Sequence, residues 1–119
     1  MPTTNFLIVL VLIVLSGFAD SLGFVYASKV WQSDTLSWPD LGKSALGWWT
    51  GITLYVLSLR FMARMGVTSA EIQTIVWFAM TIIGVVIFSG KFFAWPRLEQ
   101  AVAILVMAGL GWLLYRTAE

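Results

Sequence analysis

Long apolar stretches alternate with short polar ones along the whole chain. Four mostly apolar windows, residues 6–27, 41–61, 69–89 and 100–115, are separated by three short polar connections. A helix needs about 20 apolar residues, within a range of about 17–25, to cross the hydrocarbon core of a bilayer. We therefore expect an all-α membrane protein in which four transmembrane helices form one small bundle, a single domain covering residues 1–119.

Residues that start or stop helices lie at the edges of these windows. Pro39 stands just before the second window, and Pro96 precedes the fourth, where it favours extended backbone. Thr68 and Glu71 match the Thr-x-x-Glu capping box that opens a helix. The connection between the second and third windows is too short for anything but a tight turn. These signals place the helix boundaries independently of hydropathy.

The composition supports a membrane location. Hydrophobic residues make up 60% of the chain and charged residues 11%, whereas soluble domains average about 45–50% and about 25%. A soluble domain of this size is too small to bury so much apolar surface. We expect a multi-pass integral membrane protein, in direct contact with the lipid bilayer.

The absence of two residue types limits the chemistry. The chain has no Cys and no His, which excludes disulfides, thiolate chemistry and imidazole acid–base catalysis. The net charge is +1 and the basic residues are scattered singly, so nothing favours nucleic-acid binding. We expect a protein that is not an enzyme and needs no cofactor or bound metal.

The basic residues divide almost evenly between the two sides of the membrane. With four spans, three lie on the side of the termini and four on the other, namely Arg60, Arg64 and Arg116 against Lys29, Lys43, Lys91 and Arg97. An excess of Lys and Arg on one side normally sets the orientation of a membrane protein. A difference of one residue would let the same chain insert in both orientations.

Asp20 lies inside the first apolar window, where a charged side chain is costly. An Asp at the centre of a spanning helix costs about 2.5–3.5 kcal/mol on insertion scales and usually faces a cavity or a partner. Ser16, Gly23 and Ala27 share its helical face, and no basic residue lies within any window. Asp20 is therefore the leading candidate for binding protons and a cationic ligand. The alternative is a structural acid that hydrogen-bonds a neighbouring helix.

Trp77 is the second candidate, because it falls well inside the third window whereas most other tryptophans lie near the window edges. An indole face can bind an organic cation, although helix packing would also explain it. Gln73, Thr74 and Thr81 lie at −4, −3 and +4 from Trp77, and Tyr55 adds a hydroxyl from the second window. These residues complete the predicted binding surface.

The fourth window is rich in small residues, among them Ala101, Ala108 and Gly109. Small residues in spanning helices mark close packing against another helix. Because four short helices enclose little volume alone, we expect this window to form a dimer interface.

These residues together resemble the small multidrug resistance family of the drug/metabolite transporter superfamily. Asp20, preceded by Ala19 and followed by Gly23, is similar to the Ala-Glu and later Gly of the family's first helix. Trp77 resembles the Trp of its third helix, and the pair 108–109 the small pair of its fourth. The likeness covers nearly the whole chain.

The resemblance implies an antiparallel homodimer in the bacterial inner membrane that exports small organic cations in exchange for protons. The two copies of Asp20 would then form a shared binding site for substrate and protons. The chain departs from the family pattern at Asp20, where the family has Glu, and at residues 73–74, where it has an aromatic. Its first connection, residues 28–40, is also longer.

Two alternatives stay open at this point. One is a subunit of a lipid-phosphate or sugar-lipid flippase of the same superfamily, working with a second, non-identical chain. Such an anionic substrate would call for a basic residue in the cavity, and the windows contain none. The other is a small structural subunit of a larger membrane complex, in which Asp20 would pair with a basic residue of its partner.

Overall fold

A computed structural model describes residues 2–117, and helices dominate it. The elements in chain order are α1 Pro2–Ala27, β1 Trp31–Gln32, β2 Thr35–Leu36, α2 Trp38–Arg64, α3 Ala70–Ser89, a 3-10 turn Phe92–Ala94, and α4 Arg97–Thr117. All four predicted helices are confirmed as helices. Each boundary lies within four residues of the predicted one.

Two of the four helices have the length and composition of a membrane span. These are residues Thr3–Ala27 of α1 and Ala70–Ser89 of α3. The described residues of α2 and α4 contain no further span of this kind. By length and composition, two of the four predicted spans are thus supported.

The connection between α1 and α2 is a small hairpin, which the sequence analysis treated as a loop. Strands β1 and β2 pair antiparallel, with Gln32 opposite Thr35. Ser33 and Asp34 form the turn at φ 51° and 67°. Positive φ at both central residues matches the twist of a two-residue hairpin. In a sequence, such a turn is usually recognised by the dipeptide Asn-Gly. Ser-Asp gave no such signal.

Both ends of α3 follow ordinary capping rules. Ser69 is the N-cap, and its Oγ accepts a hydrogen bond from the Ile72 backbone N–H at 3.5 Å. The predicted capping residue, Thr68, is wrong by one position, because Ser69 already occupies the extended conformation that precedes the helix. Gly90 ends the helix in the left-handed region at φ 68°, where a glycine avoids the steric cost of a side chain.

Helix α1 lies at the centre of the molecule. It packs antiparallel to α2 along much of its length and parallel to α3. Helix α4 makes few contacts and reaches mainly α3. The fold is thus a three-helix unit of α1, α2 and α3 with α4 beside it.

The buried side chains are mostly small and polar, and the large apolar ones face outward. The most deeply buried side chains are those of Ser16, Ser21, Ser44 and Ser58. Leu46, Trp49 and Leu105 are 69%, 77% and 69% exposed. Water-soluble proteins show the reverse distribution. An apolar surrounding medium favours this one, with small residues at the contacts between helices.

Candidate functional site

Two glycines of α2 allow α1 to approach closely beside Asp20. A Cβ atom added at Gly51 would lie 3.0 Å from the Cβ of Asp20, and one added at Gly47 would lie 2.8 Å from the carbonyl oxygen of Ala19. Any larger residue would force the helices apart. The glycine side of α2 therefore forms one wall around Asp20.

Asp20 is held against α3 by one hydrogen bond. The Thr81 hydroxyl donates to Oδ2 of Asp20 at 3.0 Å, and both residues are only 3% exposed. Among the described residues, no Lys or Arg lies within ion-pair distance of this carboxyl. Asp20 is thus a buried acid with a hydroxyl partner and no counter-charge.

Ser16 makes a second link between the same helices, one turn earlier on α1. Its Oγ accepts a hydrogen bond from Trp77 Nε1 at 2.9 Å and donates to the Gly51 carbonyl oxygen at 2.6 Å. The serine is completely buried. It therefore fixes the indole of Trp77 relative to both α1 and α2.

The pairs Ser16–Trp77 and Asp20–Thr81 form what we call the polar ladder. Residues four apart on one helix lie on the same face, so each pair is one rung between facing stripes of α1 and α3. The two rungs have the same sequence separation of 61 residues, as two parallel helices require. The ladder thus sets the register of α3 on α1.

Tyr55 of α2 completes the aromatic part of this region. Its ring stacks on Trp77 with centroids 4.8 Å apart and an interplanar angle of 26°. Phe78 lies next to the same indole at 5.2 Å in a tilted arrangement. One face of Trp77 is therefore covered by Tyr55, so a ligand would have to use the rest of the ring or displace the tyrosine.

Gly23 serves helix packing on the far side of Asp20. The Trp48 indole lies directly against Gly23, where a side chain would clash. The Gly23 carbonyl oxygen accepts a hydrogen bond from Ser44 Oγ at 2.9 Å. The buried Nε1 of Trp48 has no hydrogen-bond partner among the described residues. Gly23 lets α2 close over α1, and it adds no polar group to the ladder.

Gln73 and Thr74 lie away from the polar ladder. The side chain of Gln73 donates to the Val67 carbonyl oxygen at 3.1 Å, which ties the start of α3 to the preceding turn. Thr74 is exposed. In this conformation, neither side chain hydrogen-bonds a ladder residue.

The residues predicted for a dimer interface lie on the open side of α4. Ala101, Ala108 and Gly109 are all exposed, and a Cβ added at Gly109 would meet nothing within 4 Å. This face is free to accept another helix. Its occupation by a second copy of the chain stays a prediction.

The small residues of α2 are the part of the site that the sequence analysis did not single out. Ser44, Gly47, Gly51 and Ser58 are separated by three, four and seven residues, which places them on one helical face. Ser44, Gly51 and Ser58 are buried, and Gly47 is in close contact with α1. Their spacing was the available signal, since small residues at one face mark close helix contact.

No family model, curated protein or solved structure matches this chain. The resemblance to the small multidrug resistance family therefore rests on the residues quoted above. Within the described residues, no group of three or more Asp or Glu side chains comes together in a form that could hold a metal ion.

Proposed function

We propose that the protein is a multi-pass membrane transporter that exchanges small organic cations for protons at Asp20. The observation that carries this proposal is the position of Asp20, buried between three helices with one hydroxyl partner and no counter-charge. Ionisable residues at such positions usually mark proton or ion pathways.

The direction of the helices supports more than two spans. Helices α1 and α3 run parallel, so a chain that crosses the membrane in both must return between them. Helix α2 has 27 residues, so it is about 40 Å long at 1.5 Å per residue. The hydrocarbon core of a bilayer is thinner, at about 30 Å. Helix α4, with 21 residues, is also long enough at about 32 Å. The outward-facing apolar side chains fit the same arrangement.

The proposed exchange follows from the cost of an uncompensated charge in an apolar medium. A buried carboxylate is strongly disfavoured unless it is neutralised by a proton or paired with a positive charge. Thr81 can donate to one oxygen of Asp20 in either state, which leaves the other oxygen for a proton or a cation. Release of one therefore favours binding of the other.

The aromatic rings beside the ladder suit an organic cation. A desolvated cation over an indole gains about 2 kcal/mol or more. Trp77 is fixed by Ser16 one turn from Asp20, and Tyr55 lies against it. An organic cation small enough to touch both Asp20 and this pair would gain charge compensation and aromatic contact together.

We further propose that two copies act as an antiparallel dimer, with α4 as the interface. The exposed small residues Ala101, Ala108 and Gly109 would allow close approach of a second α4. The nearly equal numbers of basic residues on the two sides of the membrane would allow the chain to insert in both orientations. Each protomer would then contribute its Asp20 to one transport pathway.

The lack of a basic residue beside Asp20 in the described part of the chain bears on the flippase alternative. The same lack of a nearby basic residue speaks against an anionic substrate at Asp20.

Proton release on cation binding tests the proposal. We expect tetraphenylphosphonium, added to purified protein in weakly buffered detergent, to release protons that a pH indicator detects. Asp20→Asn should abolish this release and the uptake of the cation into proteoliposomes driven by a pH gradient. Asp34→Asn is the matched control, since this exposed acid lies in the hairpin turn at φ 67°, a conformation that Asn tolerates.

The proposal fails if the Asp20→Asn variant transports normally, or if the wild-type protein binds the cation without releasing protons. A wild-type protein that binds no cation and is unstable without other chains would favour the structural-subunit alternative.

A further inference from the structure

A cleft of about 370 Å³ opens between α1, α3 and the 3-10 turn. Its walls are apolar, with aromatic rings from Phe24, Phe78 and Trp95 among them. Phe78 lies at one end of the cleft on α3, Thr81 about one turn further along, and Lys91 at the other end. Among the described residues that line it, Lys91 is the only charged one. The cleft thus combines a long apolar wall with one positive charge.

The end of the cleft that holds Lys91 is fixed by local backbone geometry. Gly90 ends α3 at φ 68°, which turns the chain so that Lys91 and the 3-10 turn follow directly. Gln100 of α4 donates through Nε2 to the Phe92 carbonyl oxygen at 2.9 Å. Lys91 is therefore positioned at the end of α3 between the turn at Gly90 and the hydrogen bond to Phe92.

The length of the cleft corresponds to one leaflet of a bilayer. Phe78 and Ser89 both line it, and a step of 11 positions along α3 separates them, which is a rise of about 16 Å. Half of a hydrocarbon core is about 15 Å. If α3 spans the membrane, Lys91 lies near the lipid headgroups and Thr81 near the middle of the bilayer.

We propose that this cleft binds one acyl chain of an anionic phospholipid, with the lipid phosphate on the Lys91 ammonium. The apolar walls suit an acyl chain, and the charge at the outer end is complementary to a phosphate. The transported cation is a poor occupant, because it would meet the like charge of Lys91. This inference rests on the membrane location of α3 in the proposed function and does not depend on transport.

The bound chain would pass beside the second rung of the polar ladder near its inner end. Thr81 lines the cleft and donates to Asp20, which is itself not part of the lining. The lipid would therefore support the Asp20–Thr81 pair from the side without reaching the carboxyl. This separates the lipid site from the proposed cation site.

Retention of lipid in detergent tests the site. We would incubate the purified protein with equal amounts of phosphatidylglycerol and phosphatidylcholine with identical acyl chains, and measure bound lipid by native mass spectrometry. We expect phosphatidylglycerol to be retained at least threefold over phosphatidylcholine. Lys91→Gln should remove this preference, and Lys91→Arg should keep it.

Two further variants separate the apolar and charged parts of the site. Val85→Trp fills the cleft from its wall, and we expect it to reduce the retention of both lipids. Lys43→Gln is the matched control, because Lys43 lies over the Tyr26 ring at 5.2 Å and does not line the cleft. It should leave lipid retention unchanged. Circular dichroism would verify that each variant keeps its helix content.

The inference is overturned if Lys91→Gln keeps the preference for phosphatidylglycerol, or if Val85→Trp retains lipid as the wild type does. A change of oligomeric state in Val85→Trp, without loss of lipid, would instead place a second copy of the chain in the cleft. Asp20→Asn should retain lipid normally, so failure of the transport proposal and failure of this one are distinguishable.

Discussion

The three-helix unit of α1, α2 and α3 and the single helix α4 use small residues in opposite ways. In the three-helix unit, the space beside Gly47 and Gly51 is occupied by atoms of α1, most of them backbone atoms. Polar side chains form hydrogen bonds between the helices. In α4, Gly109 and Gly111 face open space, and a Cβ at either would meet nothing within 4 Å. Glycines thus allow close helix contacts in the three-helix unit, whereas the glycines of α4 contact no other helix of the described chain.

This difference shows that a small residue in a helix gives no information about its partner until the packing is known. The α2 glycines are constrained by contacts within the chain, so their substitution should affect folding. Substitution of the α4 glycines should leave packing within the chain unchanged and affect association with another molecule. Each of the following substitutions tests one side of that comparison.

The largest effect should come from Gly47→Ala. Its new Cβ would lie 2.8 Å from the Ala19 carbonyl oxygen, a backbone atom that can move only if α1 moves. We expect the free energy of unfolding to fall by about 1–3 kcal/mol through overpacking, measured by thermal unfolding in detergent. Gly109→Ala, the same change in open space, should be neutral or stabilise by up to about 1 kcal/mol through helix propensity. Equal effects at the two positions would contradict the comparison.

Thr81→Val should have the next largest effect, because it keeps the side-chain shape but removes the hydrogen bond to Asp20. A buried acceptor left without its partner costs about 1–3 kcal/mol. We expect a lower midpoint of thermal unfolding in detergent. Thr74→Val, on the same helix but exposed, is the control for stability and should change the midpoint little. A larger loss at Thr74 would show that α3 packs differently from this arrangement.

Trp77→Phe should have a moderate effect on stability and a clearer one on ligand binding. It removes the donor to Ser16 and part of the ring that stacks on Tyr55, with a net hydrogen-bond loss of about 1 kcal/mol. Under the proposed function, isothermal titration should show weaker binding of tetraphenylphosphonium. Trp49→Phe changes an indole that is 77% exposed and should bind as the wild type does. If both variants bind equally, Trp77 does not contact the cation.

The smallest effect should come from Gln100→Leu, which removes the hydrogen bond that ties the start of α4 to the 3-10 turn. We expect a loss of about 0.5 kcal/mol, the low end for a hydrogen bond, because this one is only partly buried. Amide hydrogen exchange should rise in the 3-10 turn and the first turn of α4, and stay unchanged in α1 and α2. Increased exchange in α1 would show that α4 is coupled to the three-helix unit.

The helices could be predicted because their signals are local. Apolar windows, Pro39 in the first turn of α2 and Pro96 before α4 act within a few residues, and the structure places the helices accordingly. The hairpin was missed because its turn uses Ser33 and Asp34 at positive φ in place of glycine. The sequence alone contains no strong signal for that conformation in these residue types.

The site was predictable in part for a related reason. Asp20 stood out because a single acid in an apolar window is rare, Trp77 because it falls well inside the third window, and Thr81 because of its spacing from Trp77. The role of Gly51 was not evident, since a glycine gains significance only from the atoms packed against it. Which face of Trp77 is covered by Tyr55 also depends on tertiary contacts, so no local pattern could reveal it.

The separation of 61 residues within each rung of the polar ladder has a consequence for synthesis of the chain. At about 5–20 residues per second, the ribosome makes Thr81 about 3–12 s after Asp20. Gly51, which lies against both Ser16 and Asp20, is made about halfway through that interval. During elongation, α2 is therefore available to pack against Asp20 first, and α3 is available only later.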